Sequence, residues 1–276
     1  HLNGVMNSDD LRKVYKNCLE KLTEYSTELS QNAELCEAYK KLAASDQYNE
    51  LSEAQRKSVD NTLRDFHLGG VDLPQEKKEQ YANLSMELSE LSNRFSDNVL
   101  DATQHWFKHI TDVEELAGVP VSALDGAKQA AQQKDLDGYV ITLDFPSFYP
   151  VMTYGDNRDL RREVYEAFVT RASDMGPDAG TWDNTPVMAE ILKRRHAMAQ
   201  LLGFDNYAER SLATKMARNV DEVLDFLNQL AAKSKPIAER EFAELKAFAR
   251  DTHGVDDLQA LSLIHISEPT RPLYIA

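Results

Sequence analysis

From Leu11 to Phe95 apolar residues return every three or four positions, and a chain patterned this way hides its apolar surface only as helices laid side by side. Ser8, with Asp9 and Asp10 after it, is placed as an N-cap with acids set against the helix dipole. Leu11, Val14, Tyr15, Cys18, Leu19, Leu22, Tyr25 and Leu29 then share one face of a helix reaching about Ser30. Leu35, Tyr39 and Leu42 predict a shorter second helix. Ser52 and Gln55 have capping-box spacing for a third, carried by Val59, Leu63 and Phe66 and stopped at Gly69 and Gly70. Pro74 suits the first turn of a fourth, in which Tyr81, Leu84, Leu88, Leu91 and Phe95 alternate three and four apart. That stripe fades after roughly three heptads, which predicts an intramolecular helical hairpin rather than an oligomerising zipper.

The period then changes. Gly118 and Pro120 break the helical run, and Ala127 to Gln133 predict one more short helix before Gly138. In Tyr139 to Asp144 the pattern alternates, with Tyr139, Ile141 and Leu143 on one side and Val140, Thr142 and Asp144 on the other, as in a strand. Pro146 and Pro150 bound an expected turn, and Val151 to Tyr154 read as a second strand closing a small β-hairpin. Asn157 caps a predicted helix with Leu160, Val164, Ala167 and Phe168 inside. Gly176, Pro177 and Gly180 mark a loop, and Asn184 before Thr185 and Pro186 starts a helix through Leu202 that ends at Gly203. From Asn219 a last helix is expected to bury Val223, Phe226, Leu227 and Leu230, with Pro236 kinking it or dividing it from the segment ending near Gly254. The fold class is mainly α with one small β element.

A length of 276 residues allows one large domain or two smaller ones. With 42% hydrophobic and 28% charged residues the chain reads as soluble and globular, and no apolar run approaches the ~20 residues that span a bilayer, so no membrane partner is expected. Its 46 acids against 31 bases leave a net charge of −15, which makes nucleic acid a poor partner. Cys18 and Cys36 sit at apolar helical positions outside any CxxC spacing and read as buried small hydrophobes in a reducing compartment. No signal peptide is visible over His1 to Asp10, and His1 in place of Met places the expected natural start upstream.

Catalytic motifs are sparse. An HExxH helix would set two histidines four apart on one face to hold zinc, with the Glu positioned to take a proton from bound water. None of the seven histidines begins that motif. His105 and His109 have the spacing on an expected helix, but Trp106 stands where the Glu would be; Glu114 or Glu115 is the candidate to complete a metal site, and surface histidines are the expected reading. GxSxG, GxGxxG and GxxxxGK[ST] are absent. Arg158, Arg161, Arg162 and Arg171 fit either bidentate partners of a peptide carboxylate or a solvated face paired with Glu163 and Glu166. Asp144, among Phe145, Phe148 and Tyr149, is either a desolvated acid or a turn cap. Tyr149 and Tyr154 offer hydroxyls to a substrate or form edges of a core.

The stretch YVITLDFPSFYPVMTY from Tyr139, its continuation GDNRDLRREVYEAFVTRASDMGPDAGTWDN, and KRRHAMAQLLGFDNYAERSLATKM ending at Met216 resemble the thimet oligopeptidase family of zinc metallopeptidases. The likeness extends over His1 to Ala260. It implies a mostly helical protein of two lobes around a channel that admits short peptides, with zinc as cofactor and zinc-bound water as nucleophile in cytoplasmic peptide turnover. On that resemblance residues 1–137 are a helical N-terminal lobe, and 138–260 begin the catalytic region. Residues 261–276, opening with LSLIHISEPTR, resemble the translation of a sequencing adapter and are set aside as read-through. The family's zinc ligands and general base would lie beyond Ala260. No catalytic, metal or substrate-binding residue is therefore assigned within the chain, no zinc is expected on it, and it is expected to be inactive and either poorly soluble or partially folded alone. The competing class is a non-catalytic helical interaction module.

Overall fold

The computed structural model describes residues 2–259. Among them the helices are α1 Leu2–Val5, α2 Asp9–Ser30, α3 Ala33–Ala43, α4 Asp46–Glu50, α5 Glu53–Leu68, α6 Gln75–His105, α7 Val121–Gln132, α8 Phe145–Tyr154, α9 Arg158–Val169, α10 Thr185–Leu201, α11 Tyr207–Leu212 and α12 Val220–His253. The strands are β1 Phe107–Ile110 and β2 Tyr139–Thr142. The fold is thus mainly α with a small antiparallel β element. The adapter-like tail lies outside the described residues.

The described residues divide into two compact units, one of residues 2–95 with Pro186–Leu224 and one of Ser96–Thr185 with residues 225–259. In the first, local signals act as expected. Ser8 Oγ accepts from Leu11 N at 3.2 Å, and Ser52 and Gln55 close a full capping box on α5; Asn32, which the sequence reading did not single out, caps α3 by accepting from Leu35 N at 2.9 Å. Cys36 on α3 packs with Phe66 and Val71, flanked by Tyr39 and Leu63. The stripe on α6 turns inward: Tyr81 packs with Met198 and Leu202, and Leu84 and Leu88 lie against the same cluster. Tyr81 also donates its hydroxyl to Leu68 O at 3.1 Å, which satisfies a carbonyl at the end of α5.

The second unit is organised by β2, whose partner is not the segment that follows it. β2 pairs antiparallel with β1, with Phe107 opposite Thr142, Lys108 opposite Ile141, His109 opposite Val140 and Ile110 opposite Tyr139. Gly138, at φ +83°, makes the turn into β2 possible: a Cβ there would lie 2.4 Å from Ile110 O. Val140, Ile141 and Leu143 are all buried, so both faces of β2 are covered instead of one. Trp106, Ile110, Leu116, Ile141, Leu143, Val151, Leu160 and Val164 form the core.

Val151 to Tyr154, expected as a strand, is the end of α8. Asp144 has extended geometry at the N-cap, and its carbonyl accepts from Ser147 N and Phe148 N, both at 2.9 Å. Pro146 falls in the first turn, where a helix needs no N–H, and Pro150 forfeits only one further bond. Prolines that read as turn boundaries are thus tolerated inside a short helix. Other expectations are also corrected. Pro236, expected to kink or divide the last helix, does not divide α12; Val223 is half-buried, and Phe226, Leu227 and Leu230, expected to be buried, are exposed, with Ala249 the helix's only buried residue. Cys18 is exposed as well, on a helix with no buried residue. α4, a single turn, was too short to register as a period.

These environments make a contrast measurable. Leu143→Ala removes a side chain 1% exposed and should destabilise the second unit by about 2–5 kcal/mol. Leu227→Ala, at 50% exposure, should stay within about 0.5 kcal/mol. Urea unfolding followed by tryptophan fluorescence, with Trp106 in that core, reads both.

Candidate functional site

The pairing of β1 with β2 decides where the candidate residues of the second unit stand. His105 is the last residue of α6, whereas His109 lies in β1, so their spacing of four is not a helical repeat. His105 Nε2 sits 3.8 Å from Asp178 Oδ1, with its ring 5.0 Å from that of Trp182. His109 Nε2 is 2.6 Å from Asp137 O, a bond across the entrance to β2. Glu114 and Glu115 lie exposed in a 3-10 turn, Val113–Leu116, capped by Asp112. Among the described residues no three His, Cys, Asp or Glu side chains group to hold a metal ion. A zinc donor set does not fit these residues.

The four arginines have four different surroundings. Arg161, one turn into α9 after its Asn157 cap, is 1% exposed and donates from Nη1 to Gly155 O. Burial lowers its pKa, Arg158 lowers it further and Asp156 opposes them. It is an interior strut rather than part of a solvated face. Arg158 donates to Gln259 Oε1 at 3.2 Å, and Arg162 is exposed, 3.8 Å from Asp159. Arg171 stacks over the Phe168 ring at 3.8 Å and donates to Phe168 O and Thr103 Oγ1, each at 2.9 Å. Burial lowers the Arg171 pKa and Asp144 opposes that shift. Glu163, expected opposite an arginine, takes Lys108 of β1 at 2.8 Å and ties α9 to the sheet.

Asp144 is exposed and accepts from Thr142 Oγ1 at 3.2 Å, while Ser147 Oγ accepts from Thr142 N at 2.9 Å. It is therefore not a desolvated acid; it occupies the N-cap position of α8, but its carboxylate makes no capping bond to a backbone N–H. Tyr149 stacks on the exposed Phe145 with ring centres 5.1 Å apart, and Tyr154 is half-buried. Gly118, at φ +84°, lets the chain pass close to Tyr154: a Cβ would fall 2.2 Å from Tyr154 O, and Asp156 N donates to Ala117 O at 2.8 Å. Asn184, 2% exposed, accepts from Asn98 Nδ2 at 2.8 Å and donates its N–H to Ala172 O at 3.0 Å. These groups hold backbone segments in place.

A feature that sequence spacing did not suggest lies in the first unit. A cleft of about 520 Å³ is lined by α2, the end of α5, α6 and Arg210 of α11. The ring of Tyr207 has Arg195 of α10 at 5.0 Å and Arg210 at 5.7 Å. Neither guanidinium has a hydrogen bond or an ion pair with any described residue, and Arg210 Nε is closed to solvent. The two arginines are fifteen positions apart on different helices, so no local period links them.

Comparison with known proteins gives a consistent result. The family model for Peptidase family M3 matches residues 151–263, and that for the Neurolysin/Thimet oligopeptidase N-terminal domain matches residues 1–78. The chain is 54% identical to oligopeptidase A of Escherichia coli over 268 residues, which is 97% of this chain and 39% of that protein. It is 50% identical to oligopeptidase A of Haemophilus influenzae over the same shares. Identity is 38% to the "Probable cytosolic oligopeptidase A" of Arabidopsis thaliana, over 91% of this chain and 36% of that protein. The chain spans about two fifths of the length of these curated relatives.

The interior and surface arginines should separate in a stability measurement. Arg161→Ala leaves Gly155 O without this donor and opens a cavity, so a loss of about 2–4 kcal/mol is expected in urea unfolding. Arg162→Ala should change stability by less than about 0.5 kcal/mol.

Proposed function

We propose, since this chain belongs to peptidase family M3, that the protein it represents is a zinc-dependent endopeptidase acting on short oligopeptides, with peptide turnover in the cytoplasm as its setting. The observation that carries the reading is the 54% identity to oligopeptidase A extending over 97% of the chain. The match is not confined to a generic helical stretch: it takes in the β2–α8–α9 region and the helices before it. Residues from about 138 onward are proposed as the beginning of the catalytic region.

Within this sequence the contribution is architectural. None of the seven histidines opens HExxH, and the one pair with suitable spacing is divided between a helix end and a strand. No hydrolytic step is therefore assigned to these residues. What they do is hold α8 and α9 against β2, through Ile141, Leu143, Val151, Leu160 and Val164, with Arg161 and Arg171 fixing the ends of the connecting segments. In this reading the catalytic zinc and its base come from other parts of the family's sequence. Nucleic acid and membrane are not proposed as partners; among the described residues no helix is long and apolar enough to cross a membrane.

A second reading, a non-catalytic helical binding module, is favoured by one observation: the exposed Leu224, Phe226, Leu227, Leu230 and Ile237 on α12. It gives no reason for the family match. The two separate in a quenched-peptide assay on the purified chain, with and without chelator. Turnover at the buffer rate in both is expected of these 276 residues. Chelator-sensitive cleavage by this chain would contradict the assignment of a purely architectural role, and saturable peptide binding without turnover would favour the module.

A further inference from the structure

Arg195 and Arg210 are half-buried against one ring, that of Tyr207, with no acidic partner among the described residues. The chain has 46 acidic residues against 31 basic ones, so carboxylates are plentiful, yet neither Arg195 nor Arg210 takes one. Both are only partly exposed, and the Nε–H of Arg210 is shut off from solvent with no acceptor. That one N–H donor of Arg210 is removed from solvent without gaining a protein acceptor. Two such cations near one ring also repel each other, and the ring's quadrupole offsets only part of this. Two guanidinium groups without an acidic partner favour an anionic ligand beside them.

The cleft beside Arg210 narrows the anion's chemistry. Leu19, Leu22, Leu68 and Tyr81 supply apolar surface, while Ser26 and Ser85 bring hydroxyls that no side chain engages. Its volume, about 520 Å³, suits a small molecule. Asp65 also lines the cleft, its carboxylate held by Arg64 at 2.8 Å. A second negative charge there disfavours a dianion such as phosphate. A monocarboxylate presents two oxygens that match the guanidinium fork, and a small rotation of the Arg210 side chain would let Nε and Nη donate together.

We propose that the cleft between α2, α5 and α6 is a binding site for a small aliphatic monocarboxylate. Arg210 holds the carboxylate, Arg195 reinforces the local positive field through the shared Tyr207 ring, and the leucines take the aliphatic side chain. The site lies wholly in the first unit and does not depend on the peptidase reading.

Isothermal titration of the full chain with N-acetyl-L-leucine tests it. One-to-one saturable binding is expected, weakened about tenfold or more by Arg210→Gln and by Ser85→Leu, which fills the cleft. N-acetyl-L-leucinamide should bind at least about tenfold more weakly than the acid, inorganic phosphate should not compete, and Arg240→Gln in the second unit should leave the affinity unchanged. Absence of saturable binding overturns the proposal. So does undiminished affinity in a folded Arg210→Gln protein, equal binding of the amide, or displacement by phosphate. Helical circular dichroism establishes whether Arg210→Gln is folded; if it is not, Ser85→Leu and the acid-to-amide comparison decide.

Discussion

Four residues of backbone pairing, Phe107–Ile110 against Tyr139–Thr142, hold the second unit together. Strands this short are not stable by themselves, and the ladder persists because Ile110 of β1 and Val140 and Ile141 of β2 are enclosed. Ile110, Val140, Ile141 and Leu143 are all 2% exposed or less. The pairing brings together two segments separated by α7, with Gly138 allowing the backbone to approach Ile110 O. From that anchor α8 leaves immediately after Asp144, and α9 is tied back by Lys108 and Glu163. If the register slipped by one residue, Ile141 would exchange its core position for that of a neighbour and the Lys108–Glu163 contact would be lost.

The same pairing sets the chemistry. A helix continuing past His105 would have placed His109 one turn away on the same face. The chain instead leaves the helix at Trp106, buries that indole and enters β1, where His109 is committed to the Asp137 carbonyl. Arg161 and Arg171 are likewise spent on carbonyls of neighbouring segments. Polar residues that suggested a site by composition are used to satisfy backbone groups, as burial demands. Arg195 and Arg210, in the first unit, have no such partner among the described residues.

Local signals carried much of the fold. Caps at Ser8, Ser52 and Asn157, and the Tyr81–Leu84–Leu88 stripe, lie where side-chain chemistry and the helical period place them. The strand at Tyr139 was legible for the same reason. Its partner was not, because Phe107–Ile110 lacks clear alternation and pairing at a distance leaves no local trace. Pro146 and Pro150 misled because proline's cost depends on its position in the helix. Val223 to Leu230 misled differently: periodicity reveals which face of α12 is apolar but not whether anything covers it. As for the site, the lack of an HExxH motif was readable directly, while the Arg195–Tyr207–Arg210 cluster arises from packing α10 against α11 and has no spacing signature.

The pairing of β1 with β2 underlies both the core of the second unit and the separation of its histidines, so it is the feature to measure. Nuclear Overhauser effects on the isotope-labelled full chain provide the most direct test. Cross-strand contacts between Lys108 and Ile141, and between Ile110 and Tyr139, with helical sequential contacts through Phe145–Tyr154, are the predicted result. Cross-strand contacts joining Tyr139–Thr142 to Val151–Tyr154, with Phe107–Ile110 unpaired, would contradict it.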